Sequence, residues 1–382
     1  MKSRFCVECG EQREADALFC SNCGSRFQTE TTYWEKEREH VPEKETNLEP
    51  VRSLFSSATT QVNKMVGEEG ALDLKIKDLF SSVFEKHSKE EAELLFISGT
   101  SVTTPPESEI STSWPKPWLF SRVLFALAIT YVLLYVSVYS FDNTIAIPGL
   151  IIMGSFAVPF SLLIFFWEAN APRNISIFEI VLMFFVGGVA SIVATLFIFS
   201  IFPVYNLDTQ GAFFIGLIEE TGKLLIAIYF IRLLKVKYIL NGLLIGAAIG
   251  AGFAAFESAG YAFSSGLAFG DEAMLANIFD RAWMSIGAHV VWTGIAAGAL
   301  VYVKGQDELN GDHFKDTRFL KLFLVPILLH TAWNSPFFVN QSNAFLYLIL
   351  ITIAWLFIFS LINAGLKQIS RDVHQDRETP GV

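Results

Sequence analysis

Charge is what this 382-residue chain has least of: 17% of its residues are charged against 52% hydrophobic, with 36 Phe and a mean hydropathy of +0.43. That balance excludes an ordinary soluble domain. A basic patch is also missing, so no nucleic-acid partner is expected. The N-terminus is polar and has no apolar h-region, so no cleavable signal peptide is expected and insertion falls to internal spans. No pair of inverted halves is visible, which removes support for a transporter. Cysteine does not occur after position 23, and only two histidines, His289 and His330, lie within the long apolar runs.

The charge that is present is unevenly spread. Before Trp114 there are 13 Lys+Arg against 21 Asp+Glu, and from Trp114 onward 15 against 17. An acidic, polar front is therefore joined to a nearly neutral apolar body. The four cysteines form two C-x-x-C pairs, Cys6/Cys9 and Cys20/Cys23, each followed by glycine (Gly10, Gly24). Two such knuckles complete a tetrahedral tetrathiolate, so a structural zinc ribbon is expected over residues 1–27. Four sulfur ligands leave no open position for catalysis, and a reduced zinc–thiolate cluster places this end in the cytosol. A cytosolic protein is its expected partner.

Residues 28–117 read as a cytosolic linker. Gln28 to Pro50 is rich in Glu, Lys and Thr and lacks periodicity. Leu72, Ile76, Phe80, Val83 and His87 share one helical face, which predicts an amphipathic helix over about 72–96. His40 and His87 read as solvent-facing. Trp114 and Trp118 suggest an interfacial belt before the first span.

The body, 118–367, reads as an all-α polytopic membrane domain of about eight transmembrane helices: Leu119–Phe141, Ile145–Trp167, Ile177–Phe202, Ala212–Leu233, Ile239–Phe263, Trp283–Val303, Phe319–Phe338 and Ala344–Leu366. Three connecting segments, Asp142–Thr144, Pro203–Gln210 and Val339–Asn343, contain no Lys or Arg. The alternate ones carry Arg173; Arg232, Lys235 and Lys237; and Lys304, Lys315, Arg318 and Lys321. The tail, 368–382, follows Lys367 and holds Arg371 and Arg377. The positive-inside rule puts these and both termini in the cytoplasm, in the plasma membrane of a prokaryote. Ser264–Arg281 is then a longer, acidic external loop.

Ionisable residues within such spans are costly, roughly 2.5–3.5 kcal/mol each on insertion scales, and mark functional sites. The fourth span holds Glu219, Glu220 and Lys223; the fifth Glu257; the sixth opens with His289-Val-Val-Trp-Thr293; the seventh contains His330-Thr-Ala-Trp-Asn334. Glu219 and Lys223 could simply form an i, i+4 ion pair, but that leaves Glu220 unexplained. Counting along the alternating spans puts Glu219, Glu257, His289 and His330 about six to eight residues from the external ends, roughly 9–12 Å below the outer surface. A single polar site in the outer half of the bilayer follows. The glycines Gly242, Gly246, Gly250 and Gly252 read as helix packing.

Glutamate, two histidines and an amide suit hydrolysis. A Glu can act as general base on water. Glu220, His289 and His330 could hold a second zinc that acidifies that water. His330 and Asn334 could donate to an oxyanion, and Lys223 can fix the charge state of a neighbouring glutamate. The motifs E-E-T-G-K, F-E-S-A-G-Y, H-V-V-W-T and H-T-A-W-N together resemble the PrsW family of intramembrane proteases, itself distantly similar to the CAAX prenyl endopeptidases. The resemblance covers about Phe120 to Leu366. It implies an endopeptidase acting at Glu219/Glu220, with Glu257, His289 and His330 completing the centre. It also implies membrane-anchored protein substrates cut on the extracytoplasmic side. It does not settle between a metal and a glutamate mechanism. In the CAAX-type relatives a histidine stands in the motif where this chain has Glu257. Other readings stay open: a protease-like scaffold that does not cut, a proton- or ion-coupled transporter, and a haem protein ligated by the two histidines.

Overall fold

The computed structural model describes residues 49–337 and 344–378, together with Gln12. The four cysteines of the expected ribbon lie outside the described residues. The chain divides into one unit up to Leu54 and a second from Phe55, and apart from the start of the first helix the second carries everything below.

Its long elements are helices: α1 (Glu49–Met65), α2 (Lys89–Phe96), α3 (Leu119–Phe141), α4 (Ile147–Ala169), α5 (Ile177–Ile201), α6 (Thr209–Leu233), α7 (Ile239–Phe269), α8 (Asp271–Met284), α9 (His289–Lys304), α10 (Thr317–Asn334) and α11 (Ala344–Glu378). Among the described residues six segments are long and apolar enough to cross a bilayer, α8 and α9 together counting as one. The chain is an integral membrane protein. Of the eight spans expected, the fourth and seventh, α6 and α10, fall below that apolar threshold. The reason is chemical. Glu219, Glu220 and Lys223 sit mid-way along α6, and α10 carries Arg318, Lys321, His330 and Asn334 in 18 residues. Helices this polar stay in an apolar bundle only where neighbours, not lipid, meet the polar groups.

The central helix is α7, buried almost throughout its first two-thirds. Small residues let its neighbours come close. A Cβ at Gly242 would stand 2.7 Å from the Ala297 carbonyl of α9, and one at Gly188 of α5 would stand 2.6 Å from Gly252 Cα. Gly250 lies against the backbone carbonyl of His289. The glycine stripe is thus the seat on which α5 and α9 rest, as the sequence suggests. In α5 a π-helical turn, Met183–Gly187, adjoins this crossing.

Several sequence expectations change. The external loop expected at Ser264–Arg281 is helical: α7 runs on to Phe269, Gly270 turns with φ +88, and α8 follows. The apolar Met274 and Ile278 of α8 pack with Val138, Leu150, Ile151 and Ala262, an i, i+4 face hidden among acidic neighbours. The span expected to start at Trp283 is interrupted by a 3-10 turn at Ser285–Gly287, so α9 begins at His289 itself.

The amphipathic helix expected over about 72–96 is broken. A short helix (Ile76–Leu79) and a 3-10 turn (Ser81–Phe84) precede α2, which Ser88 starts afresh through a capping box with Glu91. His87, expected to face solvent, stacks on Trp118 at 3.8 Å between ring centroids and bonds to Glu91 and the Ser82 carbonyl. Residues from Phe55 to Pro117 are not a free linker. Asn63, Val66, Leu72, Leu79 and Ile110 are buried, and Glu68 meets Lys367 and Arg371 of α11 at 2.9 and 3.2 Å. Lys237 pairs with Glu107. This collar lies at the end of the bundle that carries the basic connecting segments.

Candidate active site

The site residues come from five helices, α6, α7, α8, α9 and α10, and the packing above brings them together. On α6, Glu219, Glu220 and Lys223 occupy one turn and the start of the next. Glu220 and Lys223 are wholly buried and Glu219 is nearly so. Lys223 Nζ donates to Glu220 Oε1 at 2.7 Å and to His289 Nδ1 at 2.8 Å, and lies 3.6 Å from Glu219 Oε2. The Phe253 ring of α7 covers the ammonium at 4.4 Å. His330 of α10 brings Nδ1 to 2.9 Å from Glu220 Oε1 and Nε2 to 3.7 Å from Glu219 Oε2. His289 Nε2 lies 3.2 Å from Glu257 Oε2 of α7. Glu257 in turn pairs with Arg281 of α8.

These contacts form a chain of alternating donors and acceptors that sets both histidine tautomers. An ammonium has only donors to offer, so His289 Nδ1 accepts and its proton sits on Nε2, facing Glu257. Glu220 accepts from His330, whose proton therefore sits on Nδ1. That leaves the Nε2 lone pair of His330 turned toward Glu219. One oxygen of Glu219, Oε2, is buried and makes no hydrogen bond among the described residues. A buried carboxylate oxygen without a donor is unusual enough to require an explanation. The Trp292 ring stacks on His330 at 4.7 Å and fixes the imidazole plane.

The group faces a cavity of about 660 Å³, within the size range of ligand pockets. Glu219, Glu257, His289, His330 and Asn334 line it, with Arg281 at one side. Glu220 and Lys223 stand behind this wall. The sequence expectation joins all seven predicted residues in one site, and the structure brings them to one place in two layers. It also separates the adjacent glutamates. Ligand atoms of Glu219, His289 and His330 all lie within 4.8 Å of one another. The set named from sequence for the metal, Glu220, His289 and His330, differs by one position. Glu220 is turned away, with Oε1 taken by Lys223 and His330. The hundred-degree step of a helix decides this, because neighbouring residues cannot share a face.

Arg281 is the site residue that sequence reasoning missed. It fell in a supposed loop, and only the helical i, i+4 pair Met274/Ile278 signals otherwise. Its Nε donates to Ser258 Oγ at 2.9 Å, and its guanidinium lies 4.4 Å from the centre of the Tyr261 ring. The break before α9 adds a second feature. The backbone N–H groups of His289 and Val290 bond to no carbonyl among the described residues. The positive end of α9 thus lies at the cavity wall that Ala288 and His289 form.

The donor set suits a metal ion. Two imidazoles and one carboxylate are the ligand types of hydrolytic zinc sites. The orphaned Glu219 oxygen is where a cation would be met, and three carboxylates here face only two permanent cations, Lys223 and Arg281. His330 already has the carboxylate partner that orients a metal-bound imidazole. Comparison with known families agrees with this chemistry. The family model described as PrsW family intramembrane metalloprotease matches residues 176–362, and a zinc-ribbon domain model matches residues 5–27. Comparison with curated proteins and with solved structures gives no match. The chain carries a PrsW family domain behind an N-terminal zinc ribbon.

Proposed function

We propose that this PrsW family domain is an intramembrane endopeptidase that hydrolyses peptide bonds of membrane-anchored proteins near the extracytoplasmic side. The observation that carries the reading is the convergence of Glu219, His289 and His330, with an unpartnered Glu219 oxygen, on one cavity inside a membrane-spanning bundle. The side is supported by chain direction. Leu207, Ser285 and Pro336 at the cavity stand at the opposite ends of α6, α9 and α10 from Arg232, Lys304 and Arg318. Basic ends face the cytoplasm, so the termini would be cytoplasmic and the cavity would open outward.

Zinc would be held by Glu219, His289 and His330; with Nε2 given to the ion the His289 proton would sit on Nδ1, and Lys223, having released a proton, would accept from it. Bound zinc supplies a water with a pKa near 7 and polarises a carbonyl. The protein residues do the rest. Glu220 holds the His330 proton on Nδ1, and Lys223 holds His289 from behind. Glu257 takes the proton of the attacking water and returns it to the leaving amine. Asn334 donates to the developing oxyanion, joined by the free amides at the start of α9. The ribbon, held by Cys6, Cys9, Cys20 and Cys23, binds its own structural zinc and serves a cytosolic partner. A metal-free glutamate mechanism, with Glu219 as the base, is the second reading. It is favoured by His289, both of whose ring nitrogens already have partners.

Zinc content tests the two. Purified wild type is expected to hold two zinc per chain, falling to one in His289→Ala/His330→Ala. One zinc in both proteins would remove the metal from the membrane site and leave the glutamate reading. Loss of peptide cleavage in Glu219→Gln is expected under either, and retained cleavage would end both.

A further inference from the structure

The segment between α5 and α6 has no role in the chemistry above, yet it borders the cavity. Residues 203–207 are in neither helix nor strand. The backbone N–H groups of Val204, Tyr205, Asn206 and Leu207 make no hydrogen bond among the described residues. The segment is not loose. Asp208 Oδ1 accepts from Gly211 N–H at 2.8 Å, and Gly211 packs so closely under the Asn206 carbonyl that a Cβ there would collide with it. Residues 205–207 are exposed, so the four amides are open to whatever enters from outside the bundle.

What adjoins it narrows the choice. The segment lines a cleft of about 460 Å³ bounded by Ile201, Phe202, Tyr205 and Phe214, all largely exposed apolar side chains. Val204 lines this cleft and also the active-site cavity, so the two adjoin. The cleft therefore offers apolar walls and a row of backbone donors without a protein partner, beside the cavity that holds Glu219. We propose that residues 204–207 are the substrate-pairing edge of the protease. An apolar substrate segment, unwound from its membrane helix, lies extended in the cleft and accepts hydrogen bonds from these amides through its own carbonyls. Main-chain pairing supplies affinity with little sequence demand, as in other strand-addition modes, and the apolar walls take alternate side chains. A helical substrate has no free carbonyls along its length, so pairing here selects segments that unwind readily. The proposal rests on the reading of the cavity as a peptide-hydrolysing site.

Photo-crosslinking of the full chain in nanodiscs tests it. A benzophenone amino acid is placed at Tyr205 or Phe214 in the cleft, at Asn334 in the cavity, or at the lipid-facing Phe125 of α3. The probe is a biotinylated single-span peptide with a leucine/alanine core and an uncharged extracytoplasmic flank. Adducts with the probe are expected at 205, 214 and 334 and not at 125. Adducts at 334 without any at 205 or 214, or only lipid adducts at 205 and 214, would overturn the cleft while leaving the cavity reading intact. Absence of adducts at 334 as well would sink the peptide-binding reading itself, and the cleft with it. The backbone claim is tested by Tyr205→Pro beside Tyr205→Ala with the same sequence made fluorogenic. One lost hydrogen bond corresponds to roughly 3–10-fold, expected as a rise in KM in the proline variant beyond that of the alanine variant, with kcat and zinc content kept. An equal rise in both would assign binding to the side chain and refute main-chain pairing. If the proline variant fails to fold, the cross-link pattern decides.

Discussion

Glu219 and Glu220 are neighbours of the same chemistry, and the structure expects opposite responses when each is altered. Glu220 Oε1 accepts from Lys223 at 2.7 Å and from His330 at 2.9 Å, with all three groups buried. Glu220→Ala leaves a buried ammonium short of a partner, and breaking a buried pair in this way costs roughly 3–5 kcal/mol. The His330 tautomer also loses its anchor. Glu219 makes no hydrogen bond through Oε2 and meets Lys223 only at 3.6 Å. Glu219→Gln therefore removes a desolvated charge with little pairing to lose, and a shift within about 1 kcal/mol of wild type, toward greater stability, is expected. Thermal unfolding of chelator-treated protein in one detergent, which removes any stabilisation by bound metal, with cleavage of a fluorogenic peptide measured on the untreated preparations, reads both quantities. The expected pattern is an inactive but fully stable Glu219→Gln and a clearly destabilised Glu220→Ala. Equal destabilisation of the two, or a destabilised Glu219→Gln beside an intact Glu220→Ala, would refute the two-layer arrangement.

Three further outcomes follow from other contacts. Gly250→Ala forces a Cβ against the His289 carbonyl; overpacking of this kind costs about 1–3 kcal/mol, and cleavage should fall more steeply than melting temperature because the displaced backbone carries a site residue. Arg281→Ala frees Glu257 from its ion pair, and loss of an outer partner at such a site typically costs 10–100-fold; partial rescue of activity by Arg281→Lys is expected, and no change in either variant would remove Arg281 from the site. Asp316, half-buried, caps α10 by accepting from the Arg318 N–H at 2.7 Å, so Asp316→Ala should cost about 1 kcal/mol. The hydrogen bond from the Arg318 side chain, foremost, holds the Asp316 carboxyl at a pKa of about 2. A lowered pKa means that its contribution is complete at neutral pH and disappears as pH falls from near 4 toward 2, and the wild-type and variant melting curves should converge over that window.

The fold was legible where physics acts locally. Apolar runs long enough to span, alternating basic connections and a stripe of small residues on α7 each reflect a constraint that single segments carry in full. The grouping of Glu219, Lys223, Glu257, His289 and His330 was legible for another reason: a charged residue in an apolar span needs partners, so such residues point to one another. What escaped depended on contacts between segments. The helix α8 hides its apolar face at only Met274 and Ile278 among acidic residues, and so reads as a loop. Arg281, carried on it, was lost with it. The front collar reads as a linker because polar residues such as Asn63 and Glu68 are buried among its few apolar ones, and the partners of Glu68, Lys367 and Arg371, lie some three hundred residues away. The division of labour between Glu219 and Glu220 needs the rotation of α6 about its axis, which only the packing of α10 fixes.

That rotation also explains how so many charges can sit in one apolar bundle. Buried ions are tolerated when each has partners that complete its hydrogen bonds. Here the chain from Arg281 through Glu257, His289, Lys223 and Glu220 to His330 alternates donor and acceptor at every step. Each link removes the freedom of the next, so the proton positions on the two imidazoles follow from the ends of the chain rather than from solvent. Glu219 is left outside it, with one oxygen lacking a donor. Glu220 Oε2 also lacks a donor among the described residues, but Glu220 is enclosed and only Glu219 of the two lines the cavity; the network is held by its linked members and open to chemistry at Glu219. The same logic divides the outcomes: a substitution at a fully buried link such as Glu220 should destabilise the protein, and a substitution at Glu219 should silence it.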